Sequence, residues 1–187
     1  MARWEPDAAG RLREAAMALY AERGYDGTTV AEIADRAGVT ARTFFRHFAD
    51  KREVLFAGSE LLGQDMVAAL AAAPADASPM EAVTAAVLAS AEFFDGTRRD
   101  YSRRRAAVIA STPELREREL IKMASMTTSL TEGLLARGVD PDVAALAAET
   151  GVAVFRVSFE RWITAPDDVP IADVIRSTLK TLSALTA

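Results

Sequence analysis

The sequence predicts an all-α protein, with a short N-terminal helix-turn-helix unit followed by a larger helical bundle. Three observations lead there. Half of the 187 residues are hydrophobic, and alanine, the best helix former, is abundant. Glycine and proline are few, 10 and 7, and punctuate the ends of apolar periodic runs. No long stretch alternates apolar and polar residues with the period of a strand.

The first helix begins near Asp7, after Pro6, and ends at Gly24, with Leu12, Ala15, Ala16 and Leu19 on its inner face. Tyr25 follows the terminating glycine and folds back on the helix end. The stretch Thr29 to Phe48 then reads as two short helices around a tight turn. Thr29 and Glu32 make a capping box, and Val30, Ile33, Ala34 and Ala37 recur on one face. Gly38 is where the chain leaves the helix with positive φ. Thr40 caps the second short helix, Val39 and Phe44 stand at the positions of a hydrophobic staple, and Phe44 and Phe48, four apart, share its buried face. Ala41, Arg42, Thr43, Arg46 and His47 are left to face outward, with Phe45 at the edge. Guanidiniums, a hydroxyl and an imidazole on one short helix suit a major groove, because arginine grips guanine bidentately and small side chains admit the backbone. Taken alone, the same pattern also describes an ordinary corner between two helices.

Asp50-Lys51 opens a fourth helix, capped by Asp50, that continues through Val54, Leu55, Leu61, Leu62, Met66 and Leu70 and is shared by both halves of the chain. Lys51 in its first turn opposes the helix dipole unless an anion stands nearby. Ser78-Pro79-Met80-Glu81 starts a fifth helix, reaching Phe93-Phe94 and stopped by Asp95-Gly96. A sixth spans about Arg98 to Ser111. A seventh runs from Thr112-Pro113-Glu114 to Arg137, before Gly138. An eighth runs from Asp140-Pro141 to Ala165, and a ninth closes the chain after Pro170. The eighth is apolar nearly all round, and the ninth carries a stripe of Ile171, Val174, Ile175, Leu179, Leu182 and Leu185. That is more apolar surface than one small bundle hides, so the last two helices are expected to pair with their copies in a two-fold homodimer.

Composition narrows the function classes. With no cysteine there is no disulfide and no thiolate metal site, which fits a cytoplasmic protein. The single histidine and the lack of an E-x-x-H pattern speak against a bundle metalloenzyme, so no metal, cofactor or catalytic residue is assigned. Met1 to Gly10 lacks a signal-peptide pattern, and the alanine-rich run Met66 to Ala73 is too short to cross a membrane. The net charge is −5, but residues 1–56 hold nine cations and nine anions, so all of the excess lies after them. A local basic face, not the global sum, governs phosphate contact.

Gly24-Tyr25, Thr28-Thr29-Val30, Ile33-Ala34, Ala37-Gly38-Val39-Thr40, Phe44-Phe45-Arg46-His47-Phe48 and Lys51 together resemble the DNA-binding domain of TetR-family transcriptional regulators, from about Leu12 to Phe56. The resemblance implies a DNA-binding domain over residues 1–52 and a ligand-binding and dimerisation domain over 53–187. It implies a homodimer on a palindromic double-stranded operator, acting as a repressor whose DNA affinity a small molecule alters. By the same resemblance Ala41, Arg42 and Thr43 approach bases. Arg42 stands where the family often has a small residue and is the expected base reader. Phe45 stands at a frequent tyrosine position and cannot give that residue's phosphate contact. Thr29, Thr40, Arg46, His47 and Lys51 complete the expected DNA-contacting set.

For the effector, Met66, Phe93, Phe94, Met123, Met126, Phe155, Phe159 and Trp162 offer a pliable apolar lining, although any one of them reads more simply as plain core. Arg98, Arg99, Arg103, Arg104 and Arg105 form a cationic run that either meets an anionic head group, with Arg104 the chosen contact, or is a solvated face paired with Asp95, Asp100 and Glu92. Arg103-Arg104-Arg105, Ile109, Thr112 to Arg116 and Phe155, Phe159 and Trp162 resemble the C-terminal domain of actinobacterial-type TetR regulators with an acyl-CoA-like ligand domain, which implies a fatty acyl or acyl-CoA effector. Two other classes remain at this stage: an enzyme on a helical bundle, and an interaction protein without DNA affinity. Arg156 and Glu160, four apart, read as a helix salt bridge rather than a catalytic pair.

Overall fold

A computed structural model of the chain describes residues 7–94 and 98–186. Its helices are α1 (Ala8–Arg23), α2 (Val30–Arg36), α3 (Ala41–His47), α4 (Glu53–Phe56), α5 (Ser59–Ala72), α6 (Pro79–Phe93), α7 (Arg99–Ser111), α8 (Pro113–Ala136), α9 (Pro141–Thr164) and α10 (Ile171–Thr186). No strand occurs among the described residues. The expected stop at Asp95-Gly96 lies outside the described residues, as does Pro6.

The helices divide between two compact units. The first holds the described residues up to Ala57 together with Arg104–Glu119, and the second holds Gly58–Arg103 and the chain from Leu120 onward. Both α7 and α8 therefore contribute to each unit.

In the first unit, Asp7 caps α1 by accepting from the Gly10 N–H, and Gly24, at φ 75°, ends it. Leu12, Ala16, Met17, Ile33, Phe44 and Val54 are fully buried there, and Tyr20 and Tyr25 pack with ring centroids 5.3 Å apart. Burial on this scale stabilises by about 1.5–3 kcal/mol for each large side chain. In the second unit, α5, α6, α9, α10 and the later part of α8 contribute to a core that includes Met66, Leu70, Val83, Val87, Leu130, Leu134, Ala148, Trp162 and Ile175. Gly151 lets α9 approach α6: a Cβ there would fall 2.3 Å from Val83 Cγ1.

The expected long fourth helix is not continuous. Gly58, at φ 96°, separates α4 from α5. Side chains other than glycine rarely adopt that φ, and a Cβ at Gly58 would also lie 2.9 Å from the Phe93 ring. By length and composition alone Glu53–Ala72, at mean hydropathy 1.3, would serve as a membrane span. The break at Gly58 divides it, and Val54, Leu55, Phe56, Leu62, Met66 and Leu70 are all buried within the protein.

Candidate nucleic-acid interface

The turn between α2 and α3 is set by local chemistry. Thr29 Oγ1 accepts from the Glu32 N–H at 3.3 Å, and Glu32 Oε2 accepts from the Thr29 N–H at 2.9 Å. The Thr29 N–H, expected to be open to a phosphate, is thus already held by a carboxylate. Those bonds from Thr29, helped by Arg23, keep Glu32 below the ordinary carboxylate range. Gly38, at φ 68°, turns the chain, and Thr40 caps α3 by accepting from the Thr43 N–H at 3.2 Å. Phe44 is fully buried and packs on Phe48 at 5.6 Å, which orients the rest of α3 outward.

Ala41, Arg42, Phe45, Arg46 and His47 are exposed, and Thr43 is half-buried with its hydroxyl 3.1 Å from that of Thr40. Phe45 is 59% exposed, a large apolar cost for a helix with only water around it. The cations of the unit differ in how they are used. Arg23 pairs with Glu32 at 2.8 Å, Arg36 with Glu22 at 2.7 Å and Arg52 with Asp50 at 2.7 Å. Arg42 has no hydrogen-bond or ion-pair partner among the described residues, and Arg46 reaches only His47, at 3.5 Å. Carboxylates are therefore matched away from α3, and its outer face keeps uncompensated positive charge.

Lys51 has a role the sequence reading did not offer. It lies ahead of α4, which starts at Glu53, rather than in the first turn. Asp50 is nevertheless a cap, accepting from the Arg52 and Glu53 N–H groups at 2.8 and 3.1 Å. Burial pushes Asp50 up, but the Arg52 guanidinium and these N–H donors outweigh it and hold its pKa down. The Lys51 ammonium donates to the carbonyls of Tyr25 at 2.8 Å and Thr28 at 3.0 Å, and lies 4.1 Å from the Tyr25 ring centroid. Tyr20 in turn donates its hydroxyl to the Lys51 carbonyl at 2.7 Å. Two of the three Lys51 ammonium donors thus fix the α1–α2 turn.

The residues expected to line an effector site separate into groups. Phe94 is ringed by Phe93, Phe155, Phe159 and Trp162, at centroid distances of 5.0, 6.0, 5.3 and 5.8 Å. Met66 and Met126 are buried in the core of the same unit, and Met123 packs against it half-buried. Arg104 stands apart: it belongs to the first unit, where it pairs with Glu14 at 3.8 Å. In the rest of the arginine run, Arg98 is exposed and Arg103 pairs with Asp100 at 3.4 Å, as a solvated face would, but Arg99, Arg103 and Arg105 also reach backbone carbonyls far along the chain. Arg103 donates to the carbonyls of Ile163 and Ala165 at 2.6 and 2.8 Å and pairs with Asp167 at 2.7 Å. Arg99 donates to the carbonyls of Pro166 and Val169 and lies 4.6 Å from the Trp162 ring. Both satisfy carbonyls at the C-terminal end of α9, where cations are favoured. Arg105 donates to the Leu55 carbonyl at 2.7 Å and pairs with Glu119 at 3.0 Å. Arg98 stacks on Phe93, and Arg156 and Glu160 form the simple helix pair, at 3.3 Å. Asp95, offered as a partner for the run, lies outside the described residues.

One polar residue escaped the sequence reading. Ser158 is fully buried on α9 with its hydroxyl unbonded among the described residues. Its signal was a lone hydroxyl on the face that carries Phe155 and Trp162.

Comparison with known proteins agrees with this geometry. Residues 12–57 match the family model described as bacterial regulatory proteins, tetR family, and residues 77–187 match the MftR C-terminal domain. The HTH-type transcriptional regulator TcmR of Streptomyces glaucescens is 41% identical over 75 residues, 40% of this chain and 33% of that protein. The HTH-type transcriptional repressor KstR2 of Mycobacterium tuberculosis is 48% identical over 46 residues, 25% of this chain and 23% of that protein. The chain thus spans a third or less of the length of these relatives. A Bacillus subtilis transcriptional regulator, FadR, solved in complex with stearoyl-CoA, superposes with TM-score 0.57 at 21% identity, covering 92% of this chain and 96% of that one, which is a likeness of fold.

Proposed function

The chain belongs to the tetR family of bacterial regulatory proteins, and on that premise we propose that it is a cytoplasmic, ligand-responsive repressor that places two copies of α3 in successive major grooves of a two-fold operator. The observation that carries this reading is Arg42: an exposed guanidinium with no hydrogen-bond or ion-pair partner among the described residues, whereas Arg23, Arg36 and Arg52 nearby are each matched by a carboxylate. Arg42 reads a guanine edge, Ala41 lets the backbone approach, and Thr43 and Phe45 supply a methyl and a ring for thymine methyl groups. Arg46, His47 and the Thr40 turn lie along the phosphates. Lys51 and Thr29 leave that set and become residues that position it.

The dimer forms through α9 and α10. Val143, Leu146, Ala153 and Val157 recur every three to seven residues on α9 and are exposed, Leu146 at 69%, and Leu185 on α10 is exposed at 79%. An apolar stripe of this kind on one helix is what a two-fold helical interface covers. The effector is apolar-bodied, of acyl or similar type, and enters the rings around Phe94; the FadR likeness supplies a fold in which a related protein holds stearoyl-CoA. Because Arg103 and Arg104 are paired with Asp167 and Glu14, they do not form an arginine mouth for a CoA phosphate.

Selection of duplexes from a random DNA library with the full-length protein, followed by mobility shift of the winners, tests this. An inverted repeat bound with steep salt dependence is expected. Enrichment of no sequence, with no shift at low salt, would refute it.

A further inference from the structure

Ser158 behaves unlike the other hydroxyls on these helices. Thr150, Thr178, Thr181 and Ser183 each donate to the carbonyl four residues back, at 2.7, 2.9, 3.1 and 3.2 Å. Ser90, also fully buried, donates to the Val87 carbonyl at 2.6 Å. Ser158 is 0% exposed and makes no such bond, although α9 offers the Val154 carbonyl one turn back. A buried hydroxyl without a partner is costly, so one kept on an otherwise apolar face calls for a partner from outside the chain.

Its surroundings say what kind. By helical phase Ser158 shares a face with Phe155, three residues earlier, and Trp162, four later, and both rings meet Phe94. Phe94 and Phe159 are only half-buried, which gives this cluster a route to solvent. A second unmatched donor stacks on Trp162 itself. Arg99 is 3% exposed and stacked on the indole, yet its Nε has no acceptor. Its remaining donors meet neutral carbonyls, and among the described residues the carboxylate it approaches, on the exposed Asp167, is 4.0 Å away and bonds Arg103 more closely. The dipole at the end of α9 offsets part of that charge. Among the described residues, what is missing around Trp162 is acceptor capacity and negative charge.

We infer that this cluster binds a small carboxylic acid with an apolar body, its carboxylate accepting from Ser158 Oγ and answering the charge of Arg99 while its body lies among Phe94, Phe159 and Trp162. This deepens, and rests on, the reading of the second unit as an effector domain; it names the effector as an anionic acid rather than a neutral lipid. The occupancy is reversible and no covalent step is involved.

The test uses the full-length protein with Trp4→Phe, which leaves Trp162 as the sole tryptophan of the original two. Octanoate and 4-phenylbutyrate are titrated against octan-1-ol and 4-phenylbutan-1-ol, reading indole emission. At least one acid is expected to saturate with a Kd about tenfold or more below that of its alcohol. Ser158→Ala, and the volume-preserving Ser158→Cys, should raise the acid's Kd about tenfold and leave the alcohol's within about twofold. Without ligand, Ser158→Ala should melt at the wild-type temperature or about 1–2 °C higher, since it removes an unmet polar group. The inference is overturned if neither acid binds, if acid and alcohol bind alike, if Ser158→Ala keeps full acid affinity, or if it melts lower, as it would were the hydroxyl satisfied by water or by Val154. Operator binding is read separately. DNA binding without acid preference would remove this inference and leave the regulator, whereas Ser158-dependent acid binding by a protein without DNA affinity would do the reverse.

Discussion

Replacing Lys51 by methionine keeps the length of the side chain and removes its charge, and the structure states what should be lost. Two charge-assisted hydrogen bonds disappear, to the Tyr25 and Thr28 carbonyls, along with the ammonium over the Tyr25 ring. Each bond to a charged donor contributes about 1.5–3 kcal/mol and the ring contact about 0.5–1 kcal/mol. The site is partly buried, so water recovers some of the carbonyl bonding, and the net loss should be about 3 kcal/mol. For a chain of this size that lowers the melting temperature by about 6–12 °C, measured at one fixed protomer concentration because a dimer's stability depends on it. Operator affinity should fall in parallel, because the α1–α2 turn that sets α2 and α3 is loosened. The slope of log affinity against log salt should stay the same, because no phosphate contact has been removed. A phosphate clamp would behave in the opposite way: unchanged melting, weaker binding, and a slope smaller by about one. That second pattern would refute the positioning role.

Three further outcomes follow from the same geometry. Arg42→Ala should leave the melting temperature within about 1 °C, since its side chain has no partner among the described residues, and cost about 1–3 kcal/mol of DNA affinity with relaxed preference at one base pair per half-site in mobility shifts. Leu146→Glu, on the exposed stripe of α9, should give monomers in sedimentation experiments while helical circular dichroism persists. Lowering the pH should destabilise the first unit: Glu22, Glu32 and Asp50 are held below their ordinary values, so the stability they confer is present above about pH 4.5 and lost as pH falls through their folded values, and Glu32→Gln should flatten part of that decline in melting temperature.

The features legible in the sequence are those set within four residues of chain. Thr29-Glu32 and Ser78-Glu81 form the expected capping boxes, Gly24, Gly38 and Gly138 take positive φ, and the helix boundaries fall where caps and prolines put them. The outward face of α3 follows from Phe44 alone, because a fully buried ring on a seven-residue helix fixes every other side chain. The remaining features depend on partners far along the chain. Gly58 reads as a tolerable glycine inside an apolar run, and only its φ and the approach of the Phe93 ring make it a break. The arginine run read as ligand clamp or solvated face because its partners at Ile163 to Val169 lie sixty to seventy residues away. Lys51 escaped for the same reason: the carbonyls it holds precede it by 26 and 23 residues. Periodicity reports which face of a helix is apolar, but not which carbonyl a cation will find.

The central claim, that paired α3 helices enter one face of a duplex, can be tested with a single label. The chain has no cysteine, so Ala41→Cys gives one attachment point at the exposed start of α3 for an iron–EDTA cleavage reagent. On a selected duplex, two clusters of cuts are expected, related by two-fold symmetry and about 34–36 Å apart along the axis. One asymmetric cluster, or uniform cutting along the duplex, would contradict the account.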